Sequence, residues 1–383
     1  MSKLDELIAE LCPDGVEFVE LNEVLDYEQP TKYIVRSTNY DDSYTIPVLT
    51  AGQSFVLGYT NEDFGIYQAT PENPVIIFDD FTTSFHWVDF RFKVKSSAMK
   101  MLKPRNKGLV NFRFLFHTMK NINYTPADHT RQWIEKYSKF RIPLPPLPVQ
   151  QEIVRILDNF TELTAELTAE LTARKKQYEY YRDWLLSQEE LNKLCPDGVE
   201  YSKLDSICNL ITTGKLNANA MVENGKYPFF TCDANPYRIN EYAFDTTAII
   251  ISGNGSQVGH INFYQGKFNA YQRTYVLSEF NNVDVKYLLH YLKGNLNNYI
   301  ILHSKKGSVP YITMPMLKNF SVPVPPMPVQ QEIVRILDNF TELIAQLETE
   351  LEARQKQYEY YRDKLLTFPA RSKDVKESKE ATA

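Results

Sequence analysis

The stretch PVQQEIVRILDNFTEL occurs twice in this chain, at 148–163 and at 328–343, without a single change. ARKKQYEYYRDWLL (173–186) returns as ARQKQYEYYRDKLL (353–366), two substitutions apart and at the same offset of 180 residues. The sequence between the copies is barely alike. A fold compatible with this must use one connector twice and hold two different bodies. A third repeat, LCPDGVEFVEL (11–21) with LCPDGVEYSKL (194–204), has an offset of 183.

Each connector reads as one long helix. IPLPPLP (142–148) and VPVPPMP (322–328) precede the copies, and proline ends a strand yet is tolerated in a first helical turn. Ile153, Leu157, Phe160, Leu163, Leu167, Leu171, Tyr178, Tyr181 and Leu185 then fall at steps of three, four or seven, a single apolar stripe. Ile333, Leu337, Phe340, Leu343, Leu347, Leu351, Tyr358, Tyr361 and Leu365 repeat it, and neither helix contains an interior Gly or Pro. About 38 residues span roughly 57 Å. A helix that long with one greasy stripe needs a partner. The other copy, returning antiparallel, is the expected one, with the bodies at opposite ends of a two-helix rod. The offset of 183 predicts a circular pseudo-two-fold: the first LCPDG copy should lie where the second helix ends.

The expected fold class is therefore α+β, two mixed α/β domains separated by two long antiparallel helices forming a coiled coil. The expected division is 1–148 for the first domain, 149–193 for the central helix, 194–328 for the second domain, 329–367 for the distal helix and 368–383 for a disordered tail. NPVIIFDD (73–80), TTAIIISGNG (246–255) and GHINFY (259–264) read as strands. Pro47–Val48–Leu49–Thr50 aligns with Pro228–Phe229–Phe230–Thr231, which predicts a shared body fold.

Apolar content of 43% and charged content of 23% are those of a soluble globular protein. No apolar run approaches a membrane span, and MSKLDELIAE lacks a signal-peptide core. Cys12, Cys195, Cys208 and Cys232 show no metal or CxxC spacing, so free thiols in a reducing cytoplasm are expected. The net charge of −6 is unevenly spread. Residues 22–143 carry 15 Lys and Arg against 13 Asp and Glu, and residues 205–320 carry 10 against 7. The bodies are thus locally basic, and nucleic acid is not excluded as a partner.

Catalytic motifs are missing. There is no GxxxxGK[ST] loop, HExxH or GxSxG elbow. ISGNGS (251–256) reads as a turn, and NPY (235–237) lacks both the second proline and the cofactor loop of an adenine methyltransferase. His86, His117, His129, His260, His290 and His303 form no metal spacing. Asp79 and Asp80 read as a solvated pair at a strand end.

Two variable bodies, each followed by a proline-flanked PxPPxPVQQEI helix in a circularly repeated chain, resemble the DNA-specificity subunit of type I restriction–modification systems. The TELTAELTAELTAR segment (161–174) adds to the likeness, because short tetrapeptide repeats resemble that family's spacer element. The resemblance covers nearly the whole chain. It implies that each body is a target recognition domain reading one half of a split double-stranded DNA sequence. It implies that the helices set the separation and dock two methyltransferase subunits, and that two motor-nuclease subunits join them. S-adenosylmethionine, ATP and Mg are implied for those partners, with no cofactor or metal and no catalysis in this chain. The rival readings are a non-enzymatic two-lobed scaffold and a fused adenine methyltransferase. The spacer-like TAEL units weigh against the first, the missing cofactor loop against the second.

Phosphate contacts want Lys and Arg; base reading wants Arg, Lys, Asn, Gln, Ser or Thr on exposed loops. In the first body the candidates are Lys93, Lys95 and Lys100 in the acid-free RFKVKSSAMKMLKPRNK (91–107), and His129, Arg131 and Gln132 in HTRQW (129–133). In the second they are Lys215 in TTGK, Asn254, Ser256 and Gln257 in SGNGSQ, Gln272 and Arg273 in AYQRT, and Lys305 and Lys306 in HSKKGS. On the connectors, Ile153, Leu157, Phe160, Leu167, Leu171 and Tyr178, with Ile333, Leu337, Phe340, Leu347, Leu351 and Tyr358, are the candidate spacer and docking residues.

A two-fold-like reader places half-site centres about one DNA turn apart, roughly 10 bp, which leaves a gap near 6–7 bp between half-sites of about 3–4 bp. Each TAEL unit (164–167, 168–171) adds about 6 Å of helix. Inserting one more unit is expected to lengthen the preferred gap by about 1–2 bp at 3.4 Å per base-pair step. Sequencing the methylated sites of the insertion variant checks this, and an unchanged gap would refute it.

Overall fold

The computed structural model describes residues 2–52, 54–106, 108–304 and 310–371. Residues 372–383, most of the expected tail, lie outside that range. In chain order the first half carries α1 (Lys3–Leu11), β1 (Glu17–Glu20), α2 (Leu21–Val24), β2 (Leu25–Glu28), β3 (Ile46–Leu49), β4 (Val56–Thr60) and β5 (Val75–Asp79). It continues through β6 (Phe85–Val88), β7 (Lys93–Val94), β8 (Met99–Pro104), α3 (Phe112–Lys120), β9 (Arg141–Leu144) and α4 (Leu147–Leu185). The second half repeats the scheme with α5 (Gln188–Leu194), β10 (Glu200–Lys203), α6 (Leu204–Ile207), β11 (Cys208–Thr213), β12 (Tyr227–Phe230) and β13 (Tyr237–Ile239). Then follow β14 (Phe244–Ser252), β15 (Ile261–Ala270), β16 (Thr274–Phe280), α7 (Val285–His303), α8 (Met314–Lys318), β17 (Ser321–Val324) and α9 (Met327–Leu365). No helix among the described residues is long and apolar enough to cross a membrane.

The chain forms two compact units: residues up to Glu166 together with those from Leu351 onward, and Leu167–Glu350. The divide falls inside both long helices, so each unit owns one body and part of each helix. Among the described residues the second body has one sheet in the order β11-β16-β14-β15-β12-β13. The first body has the same topology broken in two, β2-β8-β5-β6 and β4-β3-β7. The reason is one strand. β15 runs unbroken for 10 residues, whereas its counterpart is split into β6 and β7 by Asp89–Phe92. The aligned PVLT and PFFT segments lie in equivalent strands, since β3 pairs parallel with β7 and β12 parallel with β15.

The long helices are 39 residues each. Their N-terminal ends are seated by buried glutamines. Gln150 accepts the Asn111 N–H at 2.8 Å and donates to the Pro145 carbonyl at 2.7 Å; Gln330 accepts from Asp284 N–H and donates to Pro325, both at 2.8 Å. Asn111 and Asp284 are the N-caps of α3 and α7, so the duplicated glutamine ties each long helix to a helix of its body. Ile153 and Leu157 enter the first core, and Ile333 and Leu337 the second. Each fully buried apolar side chain contributes about 1.5–3 kcal/mol to that seating.

Within each unit the two helices touch. Phe160 stacks on Tyr361 at 5.4 Å in the first unit, and Tyr181 on Phe340 at 5.2 Å in the second. Lys175 pairs with Glu348 at 2.7 Å. Numbers falling on one helix meet numbers rising on the other, which makes the pairing antiparallel. Leu171 and Tyr178 are buried; Leu167, Leu347, Leu351 and Tyr358 are half-buried along the same stripe.

The first LCPDG copy does lie where α9 ends. Val16 N–H donates to the Pro369 carbonyl at 2.9 Å, Arg371 N–H donates to Val16 at 3.1 Å, and Leu366 joins the core of Leu4, Cys12 and Val16. β1 pairs antiparallel with β9 as β10 does with β17, one hairpin-like join per unit.

Each body is also bolted to the helices through a histidine. His117 of α3 contacts Asp158 through Nε2 at 2.7 Å and the Tyr358 hydroxyl through Nδ1 at 3.3 Å. His290 of α7 contacts Asp338 through Nε2 at 3.1 Å and the Tyr178 hydroxyl through Nδ1 at 2.9 Å. Burial holds both imidazoles below the ordinary histidine range, against the raising effect of the aspartates; Arg113 and Lys120 near His117, and Lys293 and Lys286 near His290, push the same way as burial. An unfolded histidine takes up its proton near pH 6.5. The native state resists that proton, so stability falls as pH drops below about 6.5. Between pH 7.5 and 5.5 the natural chain should lose more thermal stability than the His117→Gln/His290→Gln double variant, checked by melting curves of both.

Candidate nucleic-acid interface

In the first body three of the six candidate residues turn inward. Lys93 is 0% exposed: its ammonium lies 2.9 Å from Glu62 and donates to the Phe64 carbonyl at 2.7 Å. Glu62 in turn accepts the N–H groups of Arg36 and Ser37, so this pair pins a loop and does not reach DNA. Lys100 is 1% exposed and paired with the buried Asp80 at 3.4 Å. Gln132 is 0% exposed; it accepts from the Tyr124 hydroxyl and donates to the Thr130 carbonyl, both at 2.7 Å. A basic run in a strand alternates between faces, and here two of its lysines are internal counter-ions. Lys95, His129 and Arg131 are exposed.

Asp80, expected to be solvated, is 1% exposed. Its carboxylate accepts the Trp133 N–H at 2.9 Å, and its carbonyl accepts the Gln132 N–H at 2.8 Å. It also lies 3.6 Å from the exposed Arg131 guanidinium. One buried carboxylate therefore joins the turn after β5 to the 128–133 loop and aims Arg131. Asp79 closes the same turn, accepting from the N–H groups of Phe81 and Thr82 at 2.9 and 2.8 Å. Ser84 and His86 then reach the carbonyls of Ala51 and Gly52.

In the second body two candidate loops converge on a third, the 270–274 turn. Gln272 N–H donates to the Leu216 carbonyl at 2.9 Å and its side chain donates to Asn217 at 2.8 Å; Gly253 N–H donates to the Arg273 carbonyl at 3.0 Å. Two glycines make this approach possible. A Cβ on Gly214 would stand 1.7 Å from the Ala270 oxygen, and one on Gly253 would stand 2.3 Å from the Arg273 oxygen. Lys215, Ser256, Gln257, Gln272 and Arg273 are exposed and Asn254 half-exposed on this rim. Lys305 and Lys306 lie outside the described residues.

The two rims are built at equivalent places. Ile312 N–H donates to the Gly253 carbonyl at 2.8 Å, as Gln132 N–H does to Asp80. Asp80 and Gly253 both follow the buried central strand of their sheets, so the DDFTTS and SGNGSQ turns occupy the same position. An acidic anchor fills in one body what bare backbone fills in the other. The surface these rims offer is loop, donor-rich and cationic, suited to phosphate oxygens and base edges.

The sequence matches the family described as "Type I restriction modification DNA specificity domain" twice, over residues 13–174 and 196–353. The Escherichia coli type I restriction enzyme EcoR124I/EcoR124II specificity subunit is 41% identical, covering 96% of this chain and 98% of its own length. The chain belongs to the type I DNA-specificity family. A second member of it, a putative type I restriction enzyme specificity subunit of Haemophilus influenzae, is 30% identical over 92% of this chain and 96% of its own. The fold agrees with the crystal structure of the type I restriction–modification S subunit from M. genitalium, with a TM-score of 0.68 at 16% identity over 92% of this chain and 96% of that one. The buried anchor and the exposed side chain it aims should separate experimentally. Asp80→Ala, which strands Lys100, is expected to cost about 3–5 kcal/mol of stability. Arg131→Ala, at an exposed site, is expected to cost under about 1 kcal/mol. Urea unfolding of the two variants makes the comparison.

Proposed function

We propose that this chain is the specificity subunit of a type I restriction–modification complex, each unit reading one half of a bipartite double-stranded DNA target. The single observation that carries the reading is the contrast inside the repeat. The helices and their seating on the bodies are duplicated, while the rims at equivalent positions carry different side chains. The chain catalyses nothing itself. Lys95, His129 and Arg131 serve one half-site; Lys215, Asn254, Ser256, Gln257, Gln272 and Arg273 serve the other.

The long helices set the gap and dock two identical methyltransferase subunits, with two motor-nuclease subunits completing the restricting form. Support comes from matching exposed aromatics, Tyr180 at 66% and Tyr360 at 61%, at the same place in each helix copy. Equal surfaces suit equal partners, and exposed tyrosines are common interface anchors. S-adenosylmethionine, ATP and Mg belong to those partners.

Co-expression with a cognate methyltransferase subunit, followed by sequencing of methylated adenines across a genome, tests this. The expected site is two short half-sites separated by about 6–7 bp. Arg273→Ala should relax base preference in one half-site only, by about 1–3 kcal/mol, roughly 5- to 150-fold, if Arg273 reads a base edge. A contiguous motif, or relaxation in both halves at once, would contradict the reading.

A further inference from the structure

We propose that His117 and His290 are positioning residues that hold the recognition bodies in register on the long helices, and thereby make the subunit strict about the gap in its target. The inference rests on the functional reading above and adds to it where the strictness comes from.

The two bodies differ in sequence almost everywhere, yet α3 and α7 carry the same spacing: RFLFHTMK (113–120) and KYLLHYLK (286–293), basic, histidine, lysine. The imidazoles are 0% and 2% exposed. Each bridges both long helices. For His117 the carboxylate, Asp158, comes from α4 and the phenol, Tyr358, from α9. For His290 the helices exchange roles: Asp338 comes from α9 and Tyr178 from α4. The basic residue one turn earlier pairs with the same carboxylate, Arg113 with Asp158 at 2.8 Å and Lys286 with Asp338. One contact scheme thus recurs in two bodies of unlike sequence, with the two long helices exchanging roles.

The chemistry selects histidine. A neutral ring protonated on Nε2 donates to the carboxylate and accepts the phenol hydrogen on Nδ1, so one tautomer satisfies both partners in a buried site. The surrounding contacts of Ile153, Leu157, Ile333 and Leu337 are apolar and non-directional. Apolar packing alone tolerates sliding of one helix along another. A slip of one residue, about 1.5 Å, breaks both hydrogen bonds. A base-pair step is about 3.4 Å, so freedom of one helical turn, about 5.4 Å, is enough to admit a neighbouring gap length. The histidine bridge removes that freedom at the joint between reader and ruler.

The test uses the assembled methyltransferase complex and duplexes carrying both half-sites with gaps from two base pairs shorter to two longer than the natural one. The readout is the ratio of methylation rates at the natural gap and at one base pair more or less. His117→Leu/His290→Leu is expected to lower that ratio at least tenfold while base preference within each half-site stays as it was. Tyr358→Phe/Tyr178→Phe removes only two hydroxyls, keeps the rings packed and should lower the ratio severalfold. It therefore decides the matter if the leucine variant fails to assemble. A folded phenylalanine variant with an unchanged gap ratio overturns the proposal. A natural complex that shows no bipartite site sinks the functional reading instead, so the two failures are told apart.

Discussion

A helix of 39 residues with one apolar stripe is not stable alone in water, and everything else in this chain follows from how that stripe is covered. The first turns of each long helix are buried in a body by Ile153 and Leu157 or Ile333 and Leu337. Farther along, the stripe thins to aromatic stacks with the other helix, Phe160 on Tyr361 and Tyr181 on Phe340. Each body therefore packs against both helices, and neither helix belongs to one body. That sharing explains why compact units divide the chain inside the helices.

Polar groups supply what the greasy contacts lack. Gln150 and Gln330 seat the helix starts, and His117 and His290 clamp the sides. These are buried and directional, so they specify one arrangement where apolar packing would accept several. The rims are the opposite case. They hang from backbone contacts at Asp80 and Gly253 that are common to both bodies, and their outward side chains are free to differ. Constancy at the joint and variety at the rim fit the proposed reading of two different half-sites.

Much of the fold was legible in the chain because repetition is a signal that needs no three-dimensional knowledge. Near-identical helices, a stripe without Gly or Pro, and an offset of 183 beside one of 180 led to antiparallel pairing and circular closure, and the Val16–Ala370 join bears the closure out. The candidate site was legible only in part. The glycine-bearing loops TTGK and SGNGSQ, singled out in the sequence, lie together at one rim, where Gly214 and Gly253 let backbone meet backbone. The RFKVKSSAMK run misled. Whether a lysine in such a run faces water or a buried carboxylate depends on Glu62 and Asp80, partners 31 and 20 residues away from Lys93 and Lys100.

The sequence by itself determined the architecture: two unlike bodies on two like helices, because periodicity and repetition are local properties of a chain. Only the tertiary structure decided which side chains can meet a partner and which lock the molecule. Burial of Lys93 and Lys100 against their carboxylates, the anchoring of Arg131 by Asp80, and the His117 and His290 bridges all join residues far apart in sequence. Charge and hydrogen-bonding capacity are written in each residue; what they are spent on is set by the neighbour the fold brings within about 3 Å.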